Sequence, residues 1–96
     1  MAELTIRSGD GTGRTHPLDE APCVVGRDAE ATFTLEDALV SREHFRVVHE
    51  DGAYWVEDLG SFNGTLVNGE RMQRLQLSSG DVIRAGNTEV VFQDPA

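Results

Sequence analysis

Short runs of alternating apolar and polar residues follow one another along this chain, separated by clusters of turn residues, and long helical periodicity is missing. Leu4-Thr5-Ile6-Arg7 alternates with period two, Ser8 to Gly13 (SGDGTG) is a turn, and Arg14 to Leu18 returns. Cys23 to Arg27 is apolar and β-branched, a core strand that stops at Gly26-Arg27. Phe33-Thr34-Leu35 is another short strand, and His44 to His49 and Ala53 to Leu59 flank the hairpin signal Glu50-Asp51-Gly52. Arg71 to Leu77 leads into the turn Ser79-Gly80-Asp81, and Val82 to Ala85 and Glu89 to Phe92 are joined by Gly86-Asn87-Thr88. The pattern predicts about ten short strands with turns roughly every 8–12 residues, that is, an all-β antiparallel sandwich. Leu35 to Phe45 is the ambiguous stretch: Leu35, Ala38 and Leu39 fit one face of a helix, but the segment reads as a loop. Met1-Ala2 and Asp94-Pro95-Ala96 read as frayed ends or linker stubs around one domain spanning 1–96, with its core at about 4–93.

Asn-Gly, the strongest short hairpin signal, occurs twice within Gly60-Ser61-Phe62-Asn63-Gly64-Thr65-Leu66-Val67-Asn68-Gly69. Thr65-Leu66-Val67 and Glu70-Arg71-Met72 flank the second copy, so Asn68-Gly69 is a two-residue type I′ turn. That leaves Asn63-Gly64 without room for a hairpin. It belongs to a longer loop following Asp58-Leu59, small and polar except for Phe62.

Composition narrows the function. A chain of 96 residues is one domain, and 39% hydrophobic content closes a modest core. The net charge of −9 argues against a general binder of nucleic acid or membrane surfaces. All eight basic residues are Arg; without Lys there is neither a Walker-type nucleotide loop nor Schiff-base chemistry. The glycines at 9, 11 and 13 lack the Rossmann spacing and a following helix, so they make a hairpin loop rather than a phosphate cradle. Cys23 alone forms neither an internal disulfide nor a cysteine-based zinc site; it reads as a small buried hydrophobe in a reducing, cytoplasmic setting. No apolar run nears 18 residues, and no secretory signal pattern follows Met1.

Three loops at strand ends then stand out: Gly26-Arg27, Ser41-Arg42-Glu43-His44, and Gly60 to Thr65. With VGRD at 25–28, SREH at 41–44, DLGSFNGTLVNG at 58–69 and SGDVIRAG at 79–86, the chain resembles the forkhead-associated (FHA) domain family from about Val24 to Phe92. The resemblance implies an eleven-stranded β-sandwich that binds phosphothreonine peptides through its apical loops, with no catalytic activity, no cofactor and no metal. It implies that Arg27 bonds the phosphate, that the Ser41 hydroxyl donates to it, that Arg42 stands beside it, and that Asn63 bonds the peptide main chain. Gly26, His44, Ser61 and Gly64 are implied as structural supports of these loops. Phe62 departs from the common pattern, in which Thr precedes the Asn; its backbone N–H keeps any contact, and its ring offers an apolar wall. Leu39 lies in the stretch that often selects the third residue after the phosphothreonine and hints at an apolar preference there.

The chemistry fits the implied ligand. Phosphothreonine carries nearly two negative charges and three strong acceptors, which guanidinium forks and short donors match. The residues alone leave other readings open: Arg27 in an ordinary ion pair, Arg42 merely solvated, Asn63 in an Asx-type loop. Three functions therefore compete. The first is a phosphothreonine-peptide reader in Ser/Thr-kinase signalling, with a phosphoprotein partner and neither nucleic acid nor membrane. The second is an interaction module of the same fold, intermolecular or intramolecular, that ignores phosphate. The third is a small hydrolase using Ser41 and His44, which lacks an evident acid partner or nucleophile elbow.

Overall fold

The structure is a computed structural model and describes residues 2–95. Eleven strands follow in order: β1 Glu3–Ser8, β2 Thr15–Pro17, β3 Cys23–Gly26, β4 Phe33–Thr34, β5 Phe45–Glu50, β6 Ala53–Asp58, β7 Thr65–Val67, β8 Glu70–Met72, β9 Arg74–Gln76, β10 Val82–Ala85 and β11 Thr88–Gln93. They build a six-stranded sheet in the order β2-β1-β11-β10-β7-β8 and a five-stranded sheet in the order β4-β3-β5-β6-β9. The sandwich is antiparallel except at β3–β4, where Val25 and Gly26 pair in parallel with Phe33 and Thr34. Pro17 sits on the edge strand β2, where a missing N–H costs no ladder bond.

Alternation explains the core. Leu4 and Ile6 of β1, Val25 of β3, Phe45 and Val47 of β5, Val56 of β6, Ile83 of β10 and Val90 and Phe92 of β11 are all buried between the sheets. Each such side chain stabilises the fold by about 1.5–3 kcal/mol relative to an exposed one. Ala2 also belongs to this core, and its carbonyl accepts from Leu18 N at 2.8 Å, so it is not a frayed end. Asp94 N donates to Ser79 Oγ at 2.9 Å; Met1 and Ala96 lie outside the described residues.

One run divides differently from the sequence pattern. Arg71 to Leu77 reads as a single strand, yet Arg71 pairs with Leu66 of β7 in the six-stranded sheet while Leu75 pairs with Val56 of β6 in the five-stranded one. The chain changes sheets at Gln73, whose carbonyl accepts from Asp58 N at 2.9 Å. Periodicity does not register such a corner, because one residue is enough to turn it. The 35–44 segment is a loop, in which one turn closed by Val40 N on Asp37 O at 3.0 Å does not continue into a helix. Asn68 (φ 52°) and Gly69 (φ 87°) close β7 onto β8 with Val67 opposite Glu70, the type I′ turn that Asn-Gly predicts.

Candidate functional site

The three loops singled out from the sequence meet at one end of the sandwich, and backbone bonds tie them together. Beyond the end of β3, Arg27 N donates to Ser41 O at 3.0 Å and Asp28 N to Arg42 O at 3.2 Å. The two segments run so close that a Cβ at Gly26 would overlap the carbonyl of Arg42. Glycine is therefore required at 26 for contact rather than for backbone angle. Arg27 is exposed, and its Nε donates to Val40 O at 3.0 Å, which anchors the base of the guanidinium and leaves both terminal nitrogens for a ligand.

His44 joins the second loop to the third. It is fully buried; Nδ1 accepts from Ser41 N at 3.0 Å, and Nε2 contacts Gly64 O at 2.8 Å. A backbone N–H only donates, so Nδ1 carries no proton and Nε2 donates to the carbonyl. Both ring nitrogens are thus committed to backbone, and neither is a base for the Ser41 hydroxyl. Ser41 Oγ instead accepts from Phe62 N at 3.0 Å, which fixes the oxygen and leaves its proton to donate elsewhere. Asn63 Nδ2 donates to Leu39 O at 2.8 Å, closing the third loop onto the second. Ser41 is half-buried, whereas Arg42 and Asn63 are exposed. Phe62 projects its ring into solvent at 91% exposure and Leu39 is 49% exposed.

Two carboxylates hold the loops in shape, and the sequence reading passed over both. Asp58 Oδ1 accepts from Ser61 Oγ at 2.5 Å and Thr65 Oγ1 at 2.7 Å, while Oδ2 accepts from Gly60 N at 3.0 Å and Ser61 N at 3.2 Å. Burial works to raise its pKa, but these bonds outweigh burial and hold it below the usual aspartate range. Ser61 therefore serves the loop. Asp37 Oδ1 accepts from Leu39 N at 2.9 Å; Oδ2 accepts from Asn87 N at 2.7 Å and Thr88 Oγ1 at 2.9 Å. It pins the 37–40 loop, whose carbonyls anchor Arg27 and Asn63, to the β10–β11 turn. Here too burial pushes the pKa up and the hydrogen bonds pull it lower overall. The local Asx geometry at Asp37 was readable from sequence. The partners 50 and 51 residues away were not.

Gly64 has φ +83°, and a Cβ there would lie 2.7–3.0 Å from Nε, Cζ and Nη2 of Arg71. Neither Arg27 nor Arg42 is ion-paired to a carboxylate among the described residues. A cavity of about 430 Å³ opens beside Arg27, with Thr34, Glu36 and Asp37 among its walls. Among the described residues, no group of three His, Cys, Asp or Glu side chains is placed to hold a metal ion. The site is thus a set of braced loops presenting a guanidinium, a hydroxyl and an amide, a constellation suited to gripping an anion attached to a peptide.

Comparison with known proteins matches residues 23–86 to the FHA domain family. The FHA domain-containing protein FhaA of Mycobacterium tuberculosis is 41% identical over 90 residues, covering 94% of this chain and 17% of that protein. The oxoglutarate dehydrogenase inhibitor of Corynebacterium diphtheriae is 38% identical over 89 residues, covering 93% of this chain and 62% of the relative. This chain thus spans less than two thirds of either relative. A structure solved in an analysis of phosphothreonine-dependent FHA domain interactions superposes with a TM-score of 0.91 at 38% identity, covering 99% of this chain and 97% of the other.

Proposed function

This chain belongs to the FHA domain family, and on that premise we propose that it is a phosphothreonine-peptide-binding module that recruits proteins phosphorylated by Ser/Thr kinases. The observation that carries the reading is the bracing of adjacent groups from three loops: Arg27 held by Val40 O, Ser41 Oγ held by Phe62 N, and Asn63 held by Leu39 O. A pre-positioned site loses little entropy when it binds, so its bonds count toward affinity. The terminal nitrogens of Arg27 and the Ser41 hydroxyl grip the phosphate, with Arg42 supplying further charge. Asn63 Oδ1 and its second amide proton meet the peptide main chain. Leu39 lies against the third residue after the phosphothreonine and favours an apolar one, and Phe62 lends an apolar wall. The module acts by binding, in the cytoplasm, and not as a hydrolase: the imidazole beside Ser41 has no free nitrogen to activate it. Residues 1–96 act as one unit.

Two or three charge-assisted bonds at about 1.5–3 kcal/mol each, less ordering costs, place the affinity on the order of micromolar. The second reading, a protein contact indifferent to phosphate, draws on Leu39 and Phe62, two exposed apolar side chains on the same rim. Calorimetry separates the two. The phosphothreonine peptide binds, the phosphoserine peptide binds about tenfold or more weakly, and the unmodified peptide does not bind detectably. Arg27→Ala costs about 10- to 100-fold. Equal binding of phosphorylated and unmodified peptide would leave the second reading standing.

A further inference from the structure

The eight arginines divide by what holds them. Arg7 pairs with Glu89, Arg46 with Glu57, and Arg74 with Glu50 and Glu57. Arg14 donates to Thr34 O and lies over the Phe33 ring, and Arg84 donates to Gly86 O. Five arginines have no carboxylate partner among the described residues: Arg14 and Arg84, just named, and Arg27, Arg42 and Arg71. Of the last three, two belong to the proposed phosphate site. The third is on β8, outside every motif read from the sequence.

Its position links it to that site. Arg71 pairs with Leu66 across the β7–β8 ladder, which carries its guanidinium back over the face of Gly64. Gly64 follows Asn63, and Asn63 reaches across to Leu39 O at 2.8 Å. Contacts therefore run from Leu39 through Asn63 and Gly64 to Arg71. Phe62 N lies 3.0 Å from Ser41 Oγ, and two Cα steps of about 3.8 Å separate Phe62 from Gly64, so Arg71 stands on the order of 15 Å or less from the Ser41 hydroxyl. An extended peptide covers that distance in about four or five residues.

We propose that Arg71 forms a second anion site, which selects phosphothreonine peptides carrying an acidic or phosphorylated residue within about four positions of the phosphothreonine. The proposal rests on the phosphothreonine reading above. The guanidinium has a planar fork for carboxylate or phosphate, and its contact with Gly64 limits the orientations it loses on binding. Surplus negative charge elsewhere on the domain disfavours acidic peptides, so a gain from an added acid requires a local cation such as this one.

The test is calorimetry with a phosphothreonine peptide of otherwise neutral sequence and a series bearing one glutamate or one phosphoserine at each of the four positions on either side. The expected result is a gain of about 3- to 5-fold for glutamate, and about 10-fold for phosphoserine, confined to one side of the phosphothreonine. In Arg71→Gln the ratio of acidic to neutral peptide affinity falls to one, and in Arg71→Glu it falls below one. A purely structural arginine would weaken all peptides alike and leave that ratio intact. No gain at any position, an equal gain at every position, or a gain that survives Arg71→Gln overturns the proposal while the phosphothreonine reading stands. Failure of the neutral phosphothreonine peptide to bind removes that reading and this proposal with it.

Discussion

Replacing His44 with alanine tests whether a single buried imidazole holds the peptide-binding rim together. The substitution orphans two backbone groups. Gly64 O sits in a buried contact, and its loss of the Nε2 donor costs about 1–3 kcal/mol. Ser41 N lies in a part-buried contact that water can partly replace, so its loss costs about 0.5–1.5 kcal/mol. The missing ring, which stands edge-on to Phe45 with centroids 6.4 Å apart, leaves a cavity worth about 2 kcal/mol more. Together these come to about 5 kcal/mol, a large share of the roughly 5–15 kcal/mol that holds a domain folded. For a domain of this size, that lowers Tm by more than about 15 °C. Urea unfolding of both proteins, fitted with a common m-value, reads the difference directly. Under conditions where the variant remains folded, its affinity for the phosphothreonine peptide also falls, because Ser41 and Gly64 no longer share a brace. A stability loss below about 1 kcal/mol would show that the imidazole spans the loops without holding them and would refute the bracing argument.

Asp58, with its pKa held below the ordinary value of 3.8, favours the ionised form in the folded state, so its contribution is complete above that value and is lost as pH falls through the lower folded pKa. Chemical denaturation from pH 7 down to pH 2 should therefore show stability falling below about pH 4, and Asp58→Asn should be less stable at pH 7 with a shallower acid decline; equal slopes would refute the linkage. Burial, with the nearby Asp19 charge adding to it, pushes the Cys23 thiol up to about 12. A thiol reagent at pH 8 should therefore modify it at the rate of unfolding, and labelling as fast as in a free peptide would place the thiol at the surface.

The strands were legible because alternation and turn chemistry agree at nearly every step. Leu4 and Ile6 in β1, and Val90 and Phe92 in β11, alternate with outward neighbours and face the core. Asn68-Gly69 has both positive φ angles that its residue types predict. The departures have a common cause: they depend on what lies beside a residue rather than before or after it. The parallel pairing of β4 with β3, the sheet change at Gln73 and the burial of Ala2 are decisions of tertiary packing, which leave no periodic trace.

The site shows the same division more sharply. Arg27, Ser41 and Asn63 stood out because each lies in a short motif, and the structure brings their three loops to one rim. The residues that shape those loops were visible but carried no meaning alone. Asp37 looks like any turn aspartate until Asn87 and Thr88 arrive from the other end of the chain. Arg71 looks like one more charge on an exposed strand, and alternation even assigns it to a longer strand that does not exist. Its place on the rim comes from the type I′ turn at Asn68-Gly69, which folds β8 back along β7 and sets its guanidinium on Gly64. The second Asn-Gly pair is thus a hairpin that delivers a cation to the glycine of the first, so a turn that reads as purely structural also places a charge beside the three loops.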